Sequence, residues 1–340
     1  MTLINTQLRF DIVEKSQLLE ARRATGDLAQ RLGFGEVEIG KVALAVTEAA
    51  TNLVKHARRG ELLVRSLAHG DALGLEVLAL DRGPGIADLA QSLRDGFSTA
   101  GSLGTGLGAL SRLTDEFDIY SLPGKGTVVR LGLWNRQVQA PTGSRLDLGV
   151  VCQPMAGQEV CGDDWGCTEH QRKHVLAIAD GLGHGPDAHQ AARAAIASLQ
   201  RDAAGGPAMI LQSMHDASRP TRGSAVAVCE LDRAHHVCRF AGVGNIACAV
   251  IVDATARRMV SYNGIAGHSM RKIQEFSVPW PDAAVLVMHS DGLSTHWDLS
   301  AYSGLSARHP AVIAAVLYRD FSRHRDDTTV LVAKQGNVPA

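Results

Sequence analysis

The chain has 340 residues, a length that suggests two domains. It is 45% hydrophobic and 20% charged, enough apolar content for real cores and too much for general disorder. The 34 basic and 35 acidic residues are shared evenly (16 and 16 in residues 1–140, 18 and 19 after), so neither half has the positive excess that nucleic acid or an anionic membrane favours.

No run approaches the roughly 18 apolar residues of a spanning helix, and residues 1–17 are polar and mixed in charge. A membrane segment and a secretory signal are therefore not expected. All six cysteines lie between Cys152 and Cys248, with no Cys-x-x-Cys pair and no zinc-ligand spacing. Free thiols in a cytoplasmic protein are the expectation.

In chain order, residues 9–13 alternate like an edge strand and 17–32 carry apolar positions at helical spacing. Residues 36–57 repeat the helical pattern, with Val42, Leu44, Ala45, Ala49 and Leu53 on the apolar side. Strands are expected at 62–68 and 73–80 across a turn at Gly70 and Asp71. A glycine-rich stretch (83–108) leads to a helix near 109–116 and strands near 117–121 and 127–134. Residues 135–145, with Pro141 and Gly143, read as a linker between a domain over 1–134 and one over 146–340. The second part reads as strands at 146–152, 174–179, 225–231, 236–241, 246–252, 284–289 and 328–333, with helices at 186–203, 207–217 and 310–321. Many strands with few helices point to packed sheets flanked by helices, not to a doubly wound sheet.

Three features of the first part occur in order. Glu48 and Asn52 sit four apart on the long helix, so both project from one face. A strand runs into Asp81-Arg82-Gly83-Pro84-Gly85, and Gly101-Ser102-Leu103-Gly104-Thr105-Gly106-Leu107-Gly108 opens a helix. An ATP site needs these groups. A carboxylate at a rigid strand end can accept from the adenine amino group, glycines admit base and phosphates, and an amide oxygen can ligate Mg²⁺. Singly they are a solvated helix face, a turn and a loop; their order carries the case.

The sequence here resembles the GHKL-type ATPases, and among them the serine-protein kinases of bacterial sigma-factor control. Thr47–Asn52 looks like their N box, Asp81–Ile86 like the adenine box, Gly101–Gly108 like the lid, and Gly124-Lys125-Gly126-Thr127 like the final box. Residues 95–99 and 112–117 are especially similar to the RsbT-type switch kinases of the stressosome. The resemblance implies an ATP-binding (Bergerat) α/β sandwich holding ATP with Mg²⁺. It implies Glu48 as general base toward a substrate serine, Asn52 as the Mg²⁺ ligand and Asp81 as the adenine reader. Gly83, Gly85, Gly104, Gly106 and Gly108 would shape the pocket, with Thr127 near the base. A histidine kinase is not expected, because no helix pair with a phospho-acceptor histidine comes ahead of this unit in the sequence.

The second part carries Cys161-Gly162-Asp163-Asp164, Asp180-Gly181-Leu182-Gly183-His184-Gly185, Ser290-Asp291-Gly292 and Asp326-Asp327. Asp-Gly pairs are ordinary turn chemistry. Two of these motifs directly follow apolar strands and one precedes a strand, and converging carboxylates call for divalent cations between them. Together the four motifs resemble the PP2C-type metal-dependent phosphatases of the SpoIIE/RsbX branch. That resemblance implies a layered β-sandwich flanked by helices. It implies two Mn²⁺ or Mg²⁺ held by Asp163, Asp180, Asp291, Asp326 and the Gly181 carbonyl, with Asp164 and Asp327 as neighbours. Larger relatives carry a histidine directly after the Asp-Gly pair; here Leu182 stands there and the histidine is His184. His289 in its apolar strand, and His235-His236 between strands, read as structural.

The fold expectation is α+β in two domains. The functional expectation is a bifunctional signalling regulator: one domain phosphorylates a serine or threonine on a STAS-domain protein, and the other removes phosphate from phosphoserine or phosphothreonine. The alternative keeps only the phosphatase as an enzyme and makes the first domain a nucleotide-sensing or partner-sequestering module. No nucleic-acid or membrane partner is expected, and the sequence leaves the oligomeric state open.

Overall fold

The computed structural model describes residues 6–57, 59–93, 106–135, 146–199, 201–202, 204–270 and 272–336. The chain is α+β and divides into two units: residues 1–143 with 307–319, and residues 144–306 with 320–340.

In the first unit, strands β1 (Leu8–Ile12), β2 (Gly60–His69), β3 (Ala72–Asp81), β4 (Glu116–Leu122) and β5 (Gly126–Trp134) form one antiparallel sheet in the order β1-β2-β3-β5-β4. Helices α1 (Lys15–Arg31) and α2 (Glu36–Asn52) pack together, and both contact the sheet. Ala21 and Ala29 from α1 and Val42, Ala45, Val46 and Ala49 from α2 meet Leu62, Val64, Leu75, Val77 and Leu131 in one core. The helical period puts Leu44 elsewhere: it is 56% exposed, and Val46 takes the core position expected of it. Short helices α3 (Leu89–Ser92) and α4 (Leu107–Leu113) follow β3.

The second unit is a sandwich of two antiparallel sheets. Strands β6 (Leu146–Gln153), β7 (Asp163–His170), β8 (Lys173–Gly181), β9 (Ser224–Asp232), β10 (Val237–Val243), β11 (Ala247–Val252), β12 (Thr255–Met259), β13 (Phe276–Pro279), β14 (Val285–His289) and β15 (Thr328–Gln335) divide as β13-β10-β9-β8-β7 and β12-β11-β14-β15-β6. Strand alternation gives the first of these sheets two apolar faces. Leu176, Ile178, Cys229 and Phe240 meet Cys248, Leu286, Met288 and Leu331 of the other sheet. Val175, Ala177, Val226 and Val228 meet helices α5 (Pro186–Ala197) and α6 (Gly206–Ser218) through Ala192, Ala195, Ile210 and Met214. Helix α7 (Pro310–Phe321) follows β14 and contributes residues up to Arg319 to the first unit.

Strands β7, β12 and β13 were not expected from the sequence. Their segments read DDWGCTEH, TARRM and FSVP, too polar or too short to show alternation. Cross-strand partners impose the conformation: β7 lies along β8, β12 along β11 and β13 along β10.

One buried ionic cluster braces the first sheet. Glu76 accepts from Arg65 Nε at 2.6 Å and Arg130 Nε at 2.7 Å, and Arg130 Nη2 also donates to Glu116 at 2.7 Å. Burial opposes ionisation of Glu76, but Arg65 and Arg130 outweigh it and bring the carboxyl down to about 2. The stability this lends is present above the ordinary value of 4.5 and fades as pH falls toward about 2, and it is worth about 3 kcal/mol in all. Glu76→Gln removes the negative charge that the buried Arg65 and Arg130 share and should cost about 3–5 kcal/mol at neutral pH. Urea unfolding at pH 7 and pH 3 checks this: the penalty should shrink at the lower pH.

Candidate functional site

Helix α2 brings Glu48 and Asn52 to a cavity of about 500 Å³, also walled by Asp81, Gly85, Ile86, Gly106, Leu107, Leu110 and Thr127. The volume suits a small-molecule site. Immediately after Asn52 the helix widens into a π-helical turn, Leu53–Ala57, that places Lys55 and His56 on the same cavity. Burial raises the Glu48 carboxyl, and the Lys55 ammonium partly opposes this. A glutamate held in that way is a stronger proton acceptor than a free one.

Asp81 ends β3 at the cavity floor. One of its oxygens, Oδ1, accepts from the backbone N–H of Gly83 at 2.7 Å and of Thr127 at 3.2 Å. Burial nevertheless raises its carboxyl. Thr127 Oγ1 lies 2.9 Å from Ser121 Oγ, which accepts from the Ile86 N–H at 2.8 Å. Gly85 has φ +73°, and a Cβ there would run into the Leu122 carbonyl; Gly126, with φ +83°, stands likewise against the Asp81 carbonyl. Gly106 caps α4 and Gly108 is buried within it, while Gly83 packs against Ala57. Gly104 and the 95–99 motif lie outside the described residues. Lys55, His56 and Leu110 were not read from the sequence as cavity residues, because a π-helical turn and a non-glycine wall leave no motif.

The second site lies at strand ends. Asp163 opens β7 directly across from Asp180 near the end of β8, and Gly181 pairs with Ser224. Asp291 follows β14, and Asp326 and Asp327 precede β15. Asp180 is pushed well above the carboxylate range, by burial first and then by the charges of Asp163, Asp291, Asp326 and Asp327. Asp163 is raised by burial, with Asp327 and Asp291 adding to it, despite the Ser290 hydroxyl donating to its Oδ2 at 2.7 Å. Burial and Asp326 raise Asp291, to which Asn245 Nδ2 donates at 2.7 Å.

Among the described residues, no three Asp, Glu, His or Cys side chains stand grouped so as to hold a metal ion. The fit to divalent cations rests on the donor chemistry. Five carboxylates lie in one another's field, and Asp163 Oδ1 and Asp327 Oδ2 are buried without a hydrogen-bond partner. Hard oxygen donors of this kind suit Mg²⁺ or Mn²⁺.

Asp327, read from sequence as a neighbour, is 2% exposed and joins the cluster, its Oδ1 accepting from the Met155 N–H at 2.9 Å. Asp164 follows Asp163 on β7 and projects to the opposite face, its Oδ1 accepting from the Trp165 N–H at 2.8 Å. His184 is exposed, and its charge is felt at Asp327. Ser290, Thr329 and Asn245 were missed, since a hydroxyl or amide that orients a carboxylate has no spacing signature. His289 is structural as expected. Its Nδ1 lies 2.8 Å from the Ser290 carbonyl, its Nε2 accepts from Trp297 Nε1 at 3.0 Å, and burial brings it down to about 4.

Comparison with known proteins matches a family to each part of the chain. The histidine kinase-like ATPase domain family matches residues 13–133, and the stage II sporulation protein E (SpoIIE) family matches residues 170–335. The serine/threonine-protein kinase RsbT of Bacillus subtilis is 36% identical over 133 residues, which is 39% of this chain and all of that one. The chain belongs to the RsbT-type kinase family. To this RsbT-type domain it joins a SpoIIE-type, PP2C-like serine phosphatase domain. A solved chain from the bacterial stressosome, described as a modular system adapted to control secondary messenger signaling, is 28% identical with a TM-score of 0.52. That match covers 56% of this chain and all of that one. The structure of RsbX in complex with magnesium shares the fold at 17% identity, with a TM-score of 0.51, over 59% of this chain and all of that one. No helix among the described residues is long and apolar enough to cross a membrane.

The aspartate cluster should make the second unit sensitive to divalent ions. Mn²⁺ at about one hundred times its dissociation constant should add about 2.7 kcal/mol to stability, read as a higher Tm. In EDTA the sign reverses with pH. Asp163 and Asp180 are raised in the folded chain, so stability should fall as pH rises from the ordinary value near 3.8. Asp180→Asn should raise the Tm in EDTA and abolish the Mn²⁺ shift, both measurable by differential scanning fluorimetry.

Proposed function

We propose that the chain is a reversible phosphorylation switch in which the RsbT-type domain phosphorylates a serine or threonine of a STAS-domain regulatory protein. The SpoIIE-type domain removes phosphate from the same protein or a relative. The observation that carries this reading is that both sites keep their chemical groups in one chain: Glu48, Asn52 and Asp81 on one cavity, and five convergent aspartates at the other site. The relatives support it, being a serine/threonine-protein kinase on one side and, on the other, the phosphoserine phosphatase RsbX, 21% identical over 141 residues.

In the kinase step, Asp81 accepts from the adenine amino group while the Gly83 and Thr127 N–H groups fix its orientation. Gly83, Gly85, Gly106 and Gly108 leave room for the nucleotide. Glu48 accepts the proton of the substrate hydroxyl, its basicity raised by burial. Asn52 offers its amide oxygen to Mg²⁺, which supplies charge for the phosphate oxygens.

In the phosphatase step, Asp163, Asp180, Asp291, Asp326 and the Gly181 carbonyl would hold the metal pair, with the buried Asp327 Oδ2 as a sixth donor. Two Mn²⁺ or Mg²⁺ supply positive charge to the phosphoryl group and lower the pKa of water for in-line attack. Ser290 and Asn245 orient Asp163 and Asp291. His184, exposed and acting electrostatically on Asp327, or a water molecule, would protonate the departing seryl oxygen.

The test is phosphate transfer from labelled ATP to purified STAS-domain proteins by an Asp163→Asn variant, which cannot erase its product. Labelling should require Glu48, falling at least a hundredfold in Glu48→Ala. It should decline as pH drops through a value above the ordinary 4.5 of glutamate. Added wild-type chain with Mn²⁺ should remove the label. ATP binding without transfer to any STAS protein would reduce the RsbT-type domain to a nucleotide-dependent binding module.

A further inference from the structure

Beside the aspartate cluster the second unit has a second cleft, of about 220 Å³, that none of the chemistry above uses. Its walls are residues 244–249 leading into β11, the end of β12 with Val260 and Ser261, and His289, Thr295 and Trp297. It is too small for a cofactor-sized ligand, for which about 300–1,000 Å³ is usual, and has room for one amino-acid side chain.

Ser261, His289 and Arg258 in its walls are already engaged. Ser261 Oγ donates to the Ile246 carbonyl at 2.7 Å, and both His289 nitrogens have partners. The Arg258 guanidinium donates to the Thr295 and Trp297 carbonyls, each at 3.3 Å, and lies 5.1 Å from the centre of the Trp297 ring. The exposed apolar group at this cleft is Val260, backed by the buried side chains of Ile246, Met259 and Trp297. Val260 is 68% exposed at the mouth, beside the positive charge of Arg258.

The cleft is continuous with the phosphatase site through one residue. Asn245 forms part of its wall and donates to Asp291. A phosphoserine held at the aspartates would have this opening within reach of its own chain. At about 3.3 Å per extended residue, the side chain that reaches the cleft sits within roughly three positions of the phosphoserine.

We propose that this cleft is a specificity subsite of the phosphatase, taking one large aliphatic or aromatic side chain next to the phosphoserine of an acidic phosphoprotein. The inference rests on the phosphatase reading of the aspartate cluster. Arg258 at the rim matches the negative charge that such a substrate carries, and burying one apolar side chain in the cleft favours it about tenfold or more over alanine.

The test uses the full chain with Mn²⁺, synthetic phosphoserine peptides and 4-nitrophenyl phosphate. Each peptide carries leucine, phenylalanine, alanine or aspartate at one of roughly three positions on either side of the phosphoserine. One position should show a KM about tenfold lower for leucine or phenylalanine than for alanine. Val260→Asp should erase that preference, lowering the ratio of peptide to 4-nitrophenyl phosphate efficiency about tenfold, whereas Val260→Ile should keep it. A purely structural role for Val260 would move both substrates together. Hydrolysis of both substrates with no apolar preference, or a preference that survives Val260→Asp, overturns the subsite alone. Failure of the wild-type chain to hydrolyse either substrate overturns the phosphatase reading of the cluster and the subsite with it.

Discussion

Asp163 stands across from Asp180 because β7 and β8 pair antiparallel in one register, and the aspartate cluster of the second unit is built on that pairing. Side chains alternate along a strand, so a slip of one residue would turn Asp163 to the other face and bring Asp164 in its place. The register is held from both sides of β8. Leu176 and Ile178 are buried in the core between the sheets, while Val175, Ala177 and Ala179 are buried against the helices. A slip would have to break two apolar layers together. The two Asp residues at 163 and 164 look equivalent in sequence, yet only one joins the cluster.

The two units bury carboxylates in opposite ways, and the contrast separates architecture from chemistry. Glu76 is fully enclosed but lies between Arg65 and Arg130, so it remains ionised down to about pH 2 and braces the sheet. Asp163, buried, and Asp180, half-buried, have no cation beside them among the described residues, and burial and then the neighbouring carboxylates oppose their ionisation. Such a cluster costs stability, which the flanking apolar layers must offset. Ser290 and Thr329 limit the cost by hydrogen bonding around Asp163, and neither is charged. Function is concentrated where the chain leaves its own charges unbalanced.

The sequence conveyed much of this, unevenly. The long helix, the strand ending in Asp81 and the glycine box were legible because each is a local pattern with a period or a fixed spacing. Apolar strands such as β8, β9 and β14 were legible for the same reason. Strands β7, β12 and β13 were not, since their conformation comes from partners distant in sequence. The same limit applied within the sites. Asp163, Asp180 and Asp291 announce themselves beside glycine, whereas resemblance alone ranked Asp326 above Asp327, and the fold buries Asp327 more deeply. Asn245, Ser290 and the walls of the small cleft come from separate segments, so only the folded chain brings them together.

A kinase and a phosphatase acting on one protein set a steady state in which the phosphorylated fraction depends on the ratio of two rates. Run together without bias, they would hydrolyse ATP and change nothing. A shift of about 1.4 kcal/mol in either barrier changes that ratio tenfold, the size of effect a single bound side chain or a modest partner contact can exert. Recognition beside the phosphoserine would therefore do more than select a substrate. Because it would act on the dephosphorylation rate and leave the chemistry at Glu48 untouched, it would also set the level at which the switch rests.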